Sequence, residues 1–174
     1  TLMASMIYHL GDENALDWAR GLVANLARAP KGGDTDQIRA VAAGECDVAI
    51  SNHYYYARLM ASDKPADQDV IRKVGIVFPG QKGKGTHVNI SGGGMLKHAP
   101  NKAAAVKFLE YLASDEAQAY FANGNNEWPV VATVKLDNRE LDALGKFKVD
   151  QLSAGVLAQY TPKAQRFIDR AGWK

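Results

Sequence analysis

The sequence predicts an α/β chain in which the strands of an open sheet are buried on both faces, and three observations carry that expectation. Short apolar or β-branched runs, residues 47–51, 74–78 and 86–90, alternate with stretches whose apolar residues recur at helical spacing. Glycine-containing turns separate them, as at Gly32-Gly33, Pro79-Gly80 and Ser91-Gly92-Gly93-Gly94. After position 100 the pattern is almost wholly helical, which predicts a sheet core followed by helices packed against it or against something missing.

Met3, Ile7 and Leu10 give a first helix stopped by Gly11. A second starts with the acids Asp12 and Glu13 in its first turn and continues through Leu16, Ala19, Leu22, Val23 and Leu26 towards Pro30. Asp34 or Thr35 is expected to cap a short third helix carrying Ile38, Val41 and Ala42, closed by Gly44. The strand at 47–51 leads into Asn52-His53-Tyr54-Tyr55-Tyr56-Ala57-Arg58-Leu59-Met60, a loop passing into a helix. Residues 63–69, with Pro65, read as a polar loop before the strand at 74–78. Gly80-Gln81-Lys82-Gly83-Lys84-Gly85 lacks the Gly-Lys-Ser/Thr ending of a phosphate loop and reads as a flexible connection to the strand at 86–90. Pro100-Asn101 opens a helix through Phe108 and Leu112, and Ser114, backed by Asp115 and Glu116, caps the next. Trp128-Pro129-Val130-Val131 is extended, and helical patterns follow around 141–144, 149–157 and 162–171.

The composition removes several function classes. In 174 residues, 21 Lys and Arg against 19 Asp and Glu leave a formal charge of +2 with the signs interspersed, so no field for nucleic acid or a membrane surface is built. The longest apolar runs fall far short of the roughly 20 residues of a membrane helix. Cys46, the one cysteine, offers neither an internal disulfide nor zinc-site spacing and reads as a small buried hydrophobe. There is no Gly-x-Ser-x-Gly elbow and no Cys/His nucleophile pattern, which argues against a hydrolase.

The unusual cluster is Tyr54-Tyr55-Tyr56, three of seven tyrosines at the end of an expected strand and the start of a helix. A phenolate is a hard anionic ligand suited to a hard trivalent cation such as Fe³⁺, and the free N–H groups of a helix start lower the cost of removing the proton. Successive residues on a regular helix diverge by about 100°, so neighbouring phenols share one ion only where the backbone is still outside the regular helix. The alternative is that the rings pack under a loop with their hydroxyls in water. His53 is either a neutral metal ligand or a solvent-facing turn residue, with the turn preferred, and Tyr56 is read as packing.

These residues resemble the periplasmic ferric iron-binding proteins of bacterial ATP-driven iron importers, including their cyanobacterial iron-deficiency-induced members. The resemblance rests on Gly32-Gly33-Asp34-Thr35-Asp36-Gln37-Ile38, on Ala42-Ala43-Gly44-Glu45-Cys46-Asp47-Val48-Ala49-Ile50-Ser51-Asn52 leading into Tyr54-Tyr55, and on Asn89-Ile90-Ser91-Gly92-Gly93-Gly94. It continues through His98-Ala99-Pro100-Asn101-Lys102 to Phe167-Ile168-Asp169-Arg170-Ala171-Gly172-Trp173-Lys174.

The resemblance implies a periplasmic solute-binding fold of the type II kind, of which this chain is the carboxyl-terminal portion: mostly one lobe plus the crossover segment of the other. Residues 1–84 and 136–174 would form the carboxyl-side α/β lobe, and 85–135 the crossover strand and helices of the amino-side lobe. Tyr54 and Tyr55 would be the metal ligands, and Asn52 would touch an accompanying anion or support the site. Asp34 stands where some anion-requiring relatives have an amide and would repel phosphate, so Fe³⁺ is expected as cargo with no anion, or with carbonate or another anion. The implied partners are an ABC transporter permease in the inner membrane and the missing amino-terminal lobe or another copy of the chain, with no nucleic acid. The implied location is the periplasm, free or lipid-anchored. Two readings of the same fold compete: a receptor for a small organic solute such as a polyamine or thiamine, and the effector-binding module of a regulator.

Overall fold

A computed structural model describes residues 1–173; Lys174, which ends the carboxyl-terminal motif above, lies outside the described residues. The helices are α1 (Leu2–Leu10), α2 (Asp12–Ala24), α3 (Asp34–Ala42), α4 (His53–Met60), α5 (Pro65–Lys73), α6 (Lys102–Leu112), α7 (Asp115–Asn125), α8 (Arg139–Ala143) and α9 (Ala154–Ala171). No helix among the described residues is long and apolar enough to cross a membrane. The chain divides into two compact units, one of Thr1–Gly32, Val77–Ile90 and Phe147–Lys174, the other of Gly33–Ile76 and Ser91–Lys146.

The first unit is held by α1, α2 and α9. Met3, Ala4 and Ile7, Ala15, Leu16 and Ala19, and Leu157, Ala164 and Phe167 form one buried cluster. The alanines let the helix backbones approach while Phe167 and the larger aliphatics fill the space between them. Gly11 joins α1 to α2 at φ 77, a left-handed conformation that favours glycine, and its N–H closes α1 on the Ile7 carbonyl at 3.0 Å. The two helical patterns at 149–157 and 162–171 correct to one helix: residues 149–151 lie outside it, Ser153 Oγ accepts from the Val156 N–H, and α9 runs through Pro162. Asp150, 7% exposed, receives Ser5 Oγ at 3.2 Å and contacts His9 Nε2 at 2.8 Å.

The second unit has a smaller core of Ile38, Leu59 and Val70 from α3, α4 and α5, with Tyr55, Tyr56 and Val74 packed against it. The expected polar loop at 63–69 is instead the start of α5. Pro65 occupies the first turn, where its missing N–H costs nothing, and buried Asp67 accepts from Ser62 Oγ (2.6 Å) and Arg39 Nη2 (2.8 Å).

None of the three expected strands forms a strand ladder among the described residues. Among the described residues the one β contact outside helices is a parallel bridge between Thr86 and Val149. It needs Gly85, whose added Cβ would lie 2.6 Å from the Val149 carbonyl carbon. Val48 and Val77 are 81% and 82% exposed, so the apolar character that predicts buried strands meets no neighbour to cover it. Likewise α6 buries none of its residues, and Phe108 remains exposed.

Candidate functional site

The site is built at the start of α4. Asn52 precedes the helix in extended conformation, and its side chain makes no capping bond. Its backbone N–H and its Nδ2 both donate to Asp34 Oδ2, at 2.7 and 2.9 Å. This corrects the expectation that Asp34 caps its own helix: α3 starts after Gly33, whose N–H donates to Asp36 Oδ2 at 2.8 Å. Asp34 is thereby free to anchor the turn into α4.

Within that first turn the Tyr54 and Tyr55 rings come together, centroids 4.3 Å apart with planes inclined by 34°. The Arg58 guanidinium, one turn on, lies 5.2 Å from the Tyr54 centroid and 5.5 Å from that of Tyr55. The hydrogen bond with Tyr55 is the largest cause that pushes the Tyr54 phenol up to about 12, followed by burial and by the negative charges of Tyr55, Asp34 and Glu127. Two adjacent phenols at a helix start, with carboxylates nearby, form an oxygen-rich corner suited to a hard cation, which must displace the tightly held Tyr54 proton. No group of three or more His, Cys, Asp or Glu that could hold a metal occurs among the described residues.

Tyr56 turns away from the pair, and its hydroxyl donates to the Val74 carbonyl at 2.7 Å; burial raises its pKa. His53 is not the solvent-facing turn residue expected. Its ring stacks on Trp128 at 4.0 Å, and Nε2 lies 2.9 Å from the Asn126 carbonyl. Burial lowers its pKa, opposed by that backbone hydrogen bond. Asn126 and Trp128, which hold His53, and Asn138, which bonds Asn126, were not singled out by the sequence reading. The left-handed Asn126 (φ 59) ends α7, and Asn138 Nδ2 donates to Asn126 Oδ1 at 2.8 Å. The Asn125-Asn126 pair after a helical stretch, a helix-stop composition, was the available signal.

Comparison with known proteins places this corner in context. The profile of bacterial extracellular solute-binding proteins matches residues 9–148. The chain belongs to this family. It is 52% identical over its full length to iron uptake protein A2 of Synechocystis sp., of which it covers 51%. The major ferric iron-binding protein of Neisseria meningitidis is 30% identical over 94% of this chain and 47% of its own. Among solved structures, a Trichodesmium protein in complex with iron and citrate ligands superposes on 99% of this chain and 54% of its own, at 53% identity and a TM-score of 0.89. The ferric binding protein from Campylobacter jejuni does so at 40% identity and a TM-score of 0.93, over 99% and 54%. The chain spans about half the length of the curated relatives it matches. The solute-binding fold expected from the sequence therefore holds, although its β pairing among the described residues is limited to the Thr86–Val149 bridge.

Proposed function

We propose that this chain is the carboxyl-terminal part of a periplasmic ferric-iron receptor that binds Fe³⁺ through the Tyr54 and Tyr55 phenolates and hands it to an ABC permease in the inner membrane. The observation that carries the reading is the Tyr54–Tyr55 pair itself, two phenols side by side in the first turn of α4. The names of the relatives support iron as the cargo. The citrate in the Trichodesmium structure supports a carboxylate or carbonate as the accompanying anion. Asn52 is committed to Asp34, so in this reading it steadies the turn and Asp34 supplies local negative charge.

The protein acts without a catalytic step. Residues 1–84 with 136–174 form one lobe of the receptor, and 85–135 the crossover of the other. The ion binds the phenolates of one lobe, recruits ligands from the other and shifts a hinged equilibrium towards the closed form that the permease recognises. Alone, the chain offers an open, weak site. The test is a visible titration with ferric citrate, on the chain and on the chain combined with the amino-terminal half of the Synechocystis relative. A phenolate-to-iron charge-transfer band is expected, diminished by Tyr54→Phe and by Tyr55→Phe and little changed by Tyr56→Phe. Equal affinity in wild type and both single variants overturns the assignment.

A further inference from the structure

The Tyr54–Tyr55 corner needs a fixed direction for the first turn of α4, and that turn has no side-chain cap of its own. One side is tied down by Asp34 through Asn52. The other is held by His53, whose ring face lies on Trp128 and whose Nε2 must donate, because the Asn126 carbonyl can only accept. The place of that carbonyl depends on Asn126 staying left-handed, a conformation disfavoured for residues with a Cβ. Asn138 holds it there. Its Nδ2 donates to Asn126 Oδ1 (2.8 Å) and to the Ala122 carbonyl in the last turn of α7 (2.9 Å), while its Oδ1 accepts from the Leu141 N–H at the start of α8 (2.9 Å). Asn138 and Asn126 are 5% and 7% exposed, so these bonds are shielded from competing water.

Capping α8 requires only an acceptor, which serine or aspartate would supply as well. The two donated bonds are what asparagine adds. We propose that Asn138 is a positioning residue for the Tyr54–Tyr55 pair, acting through Asn126 and His53 to fix the angle at which the phenols face their ion. This rests on the ferric reading above. The ends of α7 and α8 and the beginning of α4 thus meet on one chain of neutral hydrogen bonds, and ligand direction is set by residues up to 84 positions away in sequence (138 minus 54).

The variants separate holding from folding. Asn138→Ser keeps an acceptor for α8 and removes the double donor. Asn126→Gly keeps the left-handed backbone and removes Oδ1. His53→Phe keeps a ring on Trp128 and removes the donated bond. Each is expected to weaken binding of ferric iron, added to the chain as its citrate complex, by about 10- to 100-fold, the usual cost of losing a group that orients a metal ligand. Each should also move the charge-transfer band, with helix content by circular dichroism retained. In the metal-free chain, NMR is expected to show a His53 Nε2 proton protected from exchange by its bond to the Asn126 carbonyl, and that protection should be lost in Asn138→Ser and Asn126→Gly. Loss of that proton with wild-type band and affinity overturns the positioning role alone. A band that persists unchanged in both Tyr54→Phe and Tyr55→Phe overturns the ferric reading and this inference with it. If Asn138→Ser fails to fold, Asn126→Gly and His53→Phe decide by the same two readouts.

Discussion

The two packing units reach stability by different routes. In the first, three helices close on one another over nine buried apolar residues, with alanines at the close approaches. In the second, three short helices share a core of only Ile38, Leu59 and Val70, and polar contacts do much of the joining: Arg39–Asp67–Ser62, Asp34–Asn52, and the Asn126–Asn138 amides. The candidate site lies in the second. A small, polar-stitched core fixes directions without filling space, which suits a corner whose task is to aim two phenols. It also leaves α6 and the segment 47–51 with apolar side chains in water.

The largest contrast should come from truncating each core. Phe167→Ala in the first unit removes a buried ring from between three helices and should cost about 3–5 kcal/mol; Leu59→Ala should sit near the lower end of its range, about 2 kcal/mol, because a small cluster collapses more easily. Trp18 packs on the first core and Trp128 stacks on His53 in the second, so fluorescence melts of single-tryptophan variants report each unit separately. Equal losses in both units would break the contrast.

Next in size is the proton dependence of ferric binding, which belongs to the second unit alone. With Tyr54 pushed up to about 12, its proton is bound throughout the neutral range and the ion must displace it. Affinity should therefore fall as the pH falls, by about tenfold per pH unit for each proton displaced. Isothermal titration with ferric citrate between mildly acidic and neutral pH, corrected for citrate's own protonation, measures the slope. A flat profile would argue against phenolate ligation.

The acid limit of the folded state should differ between units as well. Ser62, first, and then Arg39 hold Asp67 below the usual carboxylate range. A carboxyl whose folded value is lowered contributes stability that is complete above its unfolded value and lost as the pH falls through the folded one. The Trp128 signal should accordingly weaken in acid, and Asp67→Asn should lower its plateau at neutral pH while flattening that acid limb. An unchanged acid limb in the variant would remove Asp67 from the account.

What the sequence made legible was local. Period and punctuation placed α1, α2, α3, α4, α6 and α7 close to where they lie, because Gly11, Gly44 and Ser114 act on their own neighbours. The start of α5 was hidden by its polarity, since the residue buried in its first turn is Asp67 and its partner Arg39 lies 28 positions away. The runs at 47–51, 74–78 and 86–90 predicted strands, and beyond the Thr86–Val149 bridge none is one among the described residues, because pairing is a property of two segments and no run of residues declares its neighbour. At the site, Tyr54 and Tyr55 stood out by adjacency. His53 was misread because what holds it, Asn126 and Trp128, comes from more than 70 positions downstream.

The smallest expected effect tests whether the contrast reaches the helix ends. Ser153 caps α9 in the first unit and Ser114 caps α7 in the second, each accepting an N–H three residues on at 3.3 Å. The two bonds have the same length and chemistry, and replacing either serine by alanine should cost about 1 kcal/mol locally. The consequences should part company. Leu157, Ala164 and Phe167 lock α9 into the three-helix core, so fraying at Ser153 must loosen buried side chains and should lower the Trp18-monitored melt. By comparison α7 buries only Ala117 and Ala122, so its first turn can fray at Ser114 with hydrogen exchange rising at residues 115–118 and little change in the melt. If Ser114→Ala instead lowers the Trp128-monitored melt as much as Ser153→Ala lowers that of Trp18, the second unit is as cooperative as the first and its polar contacts carry more than direction.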